Sequence, residues 1–134
     1  MKRIVVDASA LAALIFQEPE SEAIKDRLAG ATVFAPALLR YELTNTALKK
    51  VRRQPLDAVK ILTALAIALD DRTGLVWQDV DARDVALLAQ AAELTAYDAS
   101  YLWLAGALGA DLVTLDRRLA KAVDTLASPD RLRA

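Results

Sequence analysis

The chain has 134 residues, 55% of them hydrophobic, with four glycines, four prolines and a formal net charge of −1. That length suffices for one domain with a substantial core, and the composition favours a helix-rich globular fold and excludes a disordered chain. The chain has no cysteine and no histidine, which excludes disulfides, thiolate or imidazole catalysis, Cys- or His-ligated zinc and a Ser-His-Asp triad.

The β-branched run Arg3 to Val6 predicts a buried strand. Ser9 is a candidate cap for a helix reaching Phe16, with Leu11, Leu14 and Ile15 on one face. Pro19 suits the first turn of a second helix that aligns Ala23, Ile24 and Leu28 and stops at Gly30. Val33 to Ala35 reads as a second strand. Pro36 opens a long helix that runs to the basic block Lys49-Lys50-Val51-Arg52-Arg53, and Pro55 opens the next. There Leu56, Val59, Leu62, Leu65, Ala66 and Leu69 keep helical spacing. Leu75 to Trp77 is a third strand. Asp81 caps a helix carrying Val85, Leu88, Ala89 and Ala92, and another helix runs from near Asp98 to Leu108, with Gly109 as its stop. Leu112 to Leu115 is the fourth strand, followed by a short helix from Arg117 to about Val123; the pattern around Ser128-Pro129 assigns no element.

Short apolar strands separated by helices predict an α/β fold, a parallel sheet with helices on both faces, whose ligands bind at the carboxyl ends of the strands. With no repeat and no linker, residues 1–134 are expected to form a single domain. The basic start Met1-Lys2-Arg3 is followed by only three apolar residues before Asp7, unlike an export signal. The apolar run Ile61 to Leu69 is too short to span a bilayer. A soluble cytoplasmic protein is expected.

Four acids stand out. Asp7 ends the first strand, Asp116 follows the fourth, Asp98 opens a helix, and Glu42 lies among Leu38, Leu39, Leu43 and Ala47 on one helix face. Asp7 can close a strand-to-helix turn, Asp116 can cap the last helix, and Asp98 suits a helix start through the macrodipole. Glu42 has no such local role, because an unpaired carboxylate among leucines costs roughly several kcal/mol or takes up a proton. Its alternative is an edge position, paired with Arg40 or Lys49. If the strand assignments hold, the four acids converge on one sheet edge, where like charges repel. Mg²⁺ or Mn²⁺ offsets that repulsion with hard oxygen ligands and acidifies a bound water that becomes the nucleophile at a phosphodiester.

The chain resembles the PIN-domain family, and within it the VapC-type toxins of toxin–antitoxin modules. The matching pieces are Ile4-Val5-Val6-Asp7-Ala8-Ser9-Ala10-Leu11, Tyr41-Glu42-Leu43-Thr44-Asn45, Leu94-Thr95-Ala96-Tyr97-Asp98-Ala99-Ser100-Tyr101-Leu102 and Leu112-Val113-Thr114-Leu115-Asp116-Arg117-Arg118-Leu119, in that order. The resemblance implies a three-layer α/β/α sandwich with a central, mostly parallel sheet of four or five strands. It implies a metal-dependent endoribonuclease whose acidic quartet is Asp7, Glu42, Asp98 and Asp116, with Asp7 and Asp98 the surest ligands of Mg²⁺ or Mn²⁺. Ser9 and Thr114 match hydroxyl positions that flank the quartet, although Ser9 as a helix cap and Thr114 as a strand residue need no further role. The family also implies a homodimer and an antitoxin seated in an apolar groove, here expected at the helices bearing Leu11, Ile15, Ile24 and Leu28.

With RNA as substrate, Arg117, Arg118 and Lys121 are placed to meet phosphates. Trp77, Tyr97, Tyr101 and Trp103 are candidates to stack on unpaired bases, Tyr97 first because it adjoins Asp98. The Lys49 to Arg53 block has an equally good explanation in the helix C-terminus it occupies. Two other readings compete: a catalytically inactive binding module, which leaves Glu42 unexplained, and aspartyl-phosphate transfer at Asp7, where Ser9 stands in place of the second aspartate that chemistry wants.

Overall fold

The computed structural model describes residues 2–126. Strand β1 (Arg3–Val6) is followed by helices α1 (Ala8–Ile15) and α2 (Ser21–Leu28), then by β2 (Thr32–Pro36). Helix α3 (Leu38–Arg53), a 3₁₀ turn (Pro55–Asp57) and α4 (Ala58–Leu69) lead through a second 3₁₀ turn (Asp71–Thr73) to β3 (Val76–Gln78). Helices α5 (Ala82–Ala92) and α6 (Ala96–Leu108) precede β4 (Asp111–Val113), and α7 (Arg117–Leu126) ends the described chain. Ser128 and Pro129 lie outside the described residues.

The strand order is β3-β2-β1-β4 and every pairing is parallel. Because β-α-β crossovers are right-handed, their direction across the sheet fixes the side on which each helix lies. The chain steps one way from β1 to β2 to β3, which puts α1 to α4 on one face. It then returns past β1 to β4, which puts α5 and α6 on the other. The result is the expected α/β/α sandwich, with four strands among the described residues. The central strand is covered on both sides, so Ile4, Val5 and Val6 are all fully buried, each worth about 1.5–3 kcal/mol relative to exposure. Leu39, Leu43 and Ala47 of α3 and Tyr101 and Leu104 of α6 join the same core.

Several local expectations shift. Pro36 is the buried last residue of β2, paired in register with Gln78, rather than the start of a helix; a strand end tolerates its missing N–H. Pro19 precedes α2, whose N-cap is Glu20. The predicted stripe on α4 is offset: Ile61 and Leu65 are buried, whereas Leu56, Val59 and Leu62 are exposed. Strand β4 stops at Val113, so Thr114 and Leu115 leave the sheet. That departure frees Thr114 to turn towards β1.

Candidate active site at the carboxyl edge of the sheet

Asp7 is the first residue beyond the central strand and is only 5% exposed. It caps α1: its Oδ1 accepts the Ala10 N–H at 3.0 Å and the Ser9 hydroxyl at 2.7 Å. The Thr114 hydroxyl donates to Oδ2. Ser9 therefore does not cap the helix; it lies in the first turn and also accepts the Leu115 N–H at 2.9 Å, tying the end of β4 to the end of β1. Thr114 in turn accepts the Asp116 N–H at 3.0 Å, and Asp116 accepts the Leu119 N–H at 3.1 Å in the first turn of α7. The two hydroxyls that flank the acids thus fix both oxygens of Asp7 and link the two strand ends.

The other two acids come from helices on opposite faces. Glu42 is half-buried on α3, and its partner is neither Arg40 nor Lys49 but the Tyr101 hydroxyl, which donates to Oε1. Arg40 instead lies 3.9 Å over the Trp77 ring. Asp98 stands in the first turn of α6, started by Thr95, whose hydroxyl accepts the Asp98 N–H at 3.1 Å. Tyr101 follows Asp98 by one helical turn, so both face the same way. Its hydroxyl contact is what the sequence left hidden; the one-turn spacing from Asp98 points to it only once the fold sets Glu42 opposite.

The acids feel one another. Burial is the main cause that raises the Asp7 carboxyl above its usual range, against the hydrogen bonds from Thr114, Ala10 and Ser9 that lower it, and Asp116 raises it further. Burial likewise raises Glu42; the Tyr101 bond opposes the shift, and Asp98 and Asp7 add to it. Asp98 is raised by burial, then by Asp116 and Asp7, and lowered by Arg118. All four acids therefore share one electrostatic site. Among the described residues no three acidic side chains close into a cation cage. The set is an open one of hard carboxylate oxygens, the donor type that divalent cations such as Mg²⁺ take, with Arg118 as the cation that bears on Asp98.

A family model for the PIN domain matches residues 4–124. The chain belongs to the PIN-domain family. It is 34% identical over 131 residues to a protein of Pyrobaculum aerophilum named Ribonuclease VapC3, a match that covers 95% of this chain and 99% of the relative. The crystal structure of PAE2754 from Pyrobaculum aerophilum superposes with a TM-score of 0.73 at 31% identity, over 93% of each chain. VapC20 of Mycobacterium tuberculosis, a sarcin-ricin loop cleaving toxin, superposes with a TM-score of 0.63 over 89% of this chain and 94% of its own. At 20% identity that likeness speaks for the fold.

Around the acids of this PIN domain, the remaining predicted residues divide. Tyr97 is 61% exposed, and Arg117, Arg118 and Lys121 are exposed on α7. Tyr101, at 1% exposure, is closed off from any base, and Trp77 and Trp103 are half-buried against the core. In the basic block Lys50 pairs with Glu18 at 2.7 Å, while Lys49, Arg52 and Arg53 are exposed at the end of α3. On the α1 to α4 face a groove of about 640 Å³ is lined by Leu11, Leu14, Ile15, Leu28, Ile67 and Leu75, among others. Ile24, expected there, is buried in the core instead. Among the described residues no helix is long and apolar enough to cross a membrane.

Proposed function

We propose that this protein is a metal-dependent endoribonuclease, the toxin of a toxin–antitoxin pair, with residues 1–134 acting as one cytoplasmic domain. The observation that carries the proposal is the meeting of acids from separate elements at the carboxyl edge of a parallel sheet: Asp7 from the end of β1, Glu42 from α3 and Asp98 from α6, with Asp7 bearing on the other two and Asp116 on Asp7 and Asp98. The near full-length similarity to a named ribonuclease supports the same reading. In RNA hydrolysis, water adds to phosphorus in line with the departing 3′-oxygen, leaving 5′-phosphate and 3′-hydroxyl ends. Asp7 and Asp98, with Glu42 and Asp116, would hold Mg²⁺ or Mn²⁺. When bound, the ion supplies an acidified water and neutralises charge on the phosphate.

The chain's own residues do the rest. Ser9 and Thr114 hold the Asp7 carboxylate in one orientation by donating to its two oxygens. Arg118, close enough to bear on Asp98, is placed with Arg117 to receive the RNA backbone beside the acids. Exposed Tyr97 offers a ring on which an unpaired base can stack. The groove between α1 and α4 takes the C-terminal segment of an antitoxin by its apolar side chains, and the protein works as a homodimer. The test incubates purified protein with structured RNAs in Mg²⁺ or in EDTA. Cleavage is expected in Mg²⁺ alone and should fall roughly a hundredfold or more in Asp7→Asn and Asp98→Asn, since loss even of a metal ligand's hydrogen-bond partner costs 10–100-fold. Cleavage that persists in EDTA would refute the mechanism, and absence of both cleavage and Mn²⁺ binding would favour a non-catalytic binding module.

A further inference from the structure

Tyr101 brings a polar atom to the edge of the core. Its ring is fully packed on α6, yet among the described residues its hydroxyl donates not to a backbone carbonyl but to Glu42 across the sheet edge. Helix α6 packs on β1 and β2 and α3 on β2, so this one bond joins the two helical layers at the site. Glu42 needs such a partner. It is half-buried, and no basic side chain makes an ion pair with it among the described residues. A glutamate side chain has three rotatable bonds, and without an anchor it would swing out to water and away from Asp7 and Asp98.

We propose that Tyr101 is a positioning residue, whose hydroxyl holds the Glu42 carboxylate over the acid cluster and leaves its second oxygen free for a cation. The inference rests on the metal-dependent reading above. A phenol carries one O–H donor, and here it is directed to Glu42 Oε1.

The test is a double-mutant cycle on Mn²⁺ binding, read by titration calorimetry and Mn²⁺ electron paramagnetic resonance on the full chain. Tyr101→Phe keeps the ring and removes only the hydroxyl. It is expected to weaken Mn²⁺ binding about 10–100-fold, the range for the loss of a hydrogen bond to a metal ligand, while far-UV circular dichroism in EDTA is unchanged. In a Glu42→Gln background the same substitution is expected to change Mn²⁺ affinity less than about twofold, since Tyr101 acts through Glu42. An equal loss in both backgrounds, or no loss in the parent background, would overturn the positioning role while the nuclease reading stands. If the parent itself binds no Mn²⁺, both fall together.

Discussion

At Asp7, burial and hydrogen bonding pull in opposite directions, and burial is the larger. The folded-state pKa therefore lies above the ordinary 3.8, and between those two values the unfolded chain has released a proton that the fold retains. In metal-free protein the contribution of Asp7 is fully present below the ordinary value and is lost as pH rises through the folded one. Compared with Asp7→Asn, which does not ionise, the parent should lose relative stability across that window at up to about 1.4 kcal/mol per pH unit. Urea unfolding of both proteins in EDTA, from about pH 4 to about pH 7, measures it. A pH-independent difference would mean that Ser9, Thr114 and the Ala10 N–H just offset the loss of solvent, and a slope of opposite sign that they outweigh it. Added Mn²⁺ should reduce the slope, because a cation restores the charged form.

Among the elements, α6 does most to shape the site, since it carries both Asp98 and Tyr101. Its start is set by Thr95, so Thr95→Ala should cost about 1 kcal/mol in chemical unfolding. Leu43, fully buried beside Glu42 on α3, should cost about 2–5 kcal/mol when cut to alanine. Both features are legible in part from the residues alone. A threonine three residues ahead of an acid is a helix-start pattern, and the leucines around Glu42 mark a buried face. Strands with β-branched runs are equally plain, as is the Gly109 stop, which adopts the left-handed conformation at φ 60°. What the pattern misses depends on tertiary structure. Pro36 reads as a helix opener because local rules do not register that β3 lies alongside it. Ser9 reads as a cap because the Leu115 N–H it serves is 106 positions away. The offset of α4 arises because spacing fixes a stripe but not which part of it meets α3. The acids themselves are legible as types, whereas the tyrosine that anchors Glu42 is not, since a buried phenol on a helix looks like ordinary packing.

Across the whole molecule the charge nearly balances, at −1, so affinity for RNA must come from local arrangement rather than from the total. Arg117, Arg118 and Lys121 cluster on α7 immediately after Asp116. Replacing Arg117 and Arg118 with alanine in an Asp7→Asn background, where RNA is bound but not cut, should weaken binding across sequences. It should also flatten the dependence of log K on log salt by about 0.7 for each phosphate that is no longer neutralised. Fluorescence anisotropy over a salt series reads both effects, and an unchanged slope would place the RNA path elsewhere. The central position of β1 has a consequence for synthesis. The first strand leaves the ribosome early, but its outer neighbour β4 and Asp116 are made only after residue 110. A nascent or prematurely terminated chain lacks one wall of the acid cluster and the Thr114 hydroxyl that orients Asp7. Until β4 and the turn after it are made, the acids of β1, α3 and α6 have no complete site to join.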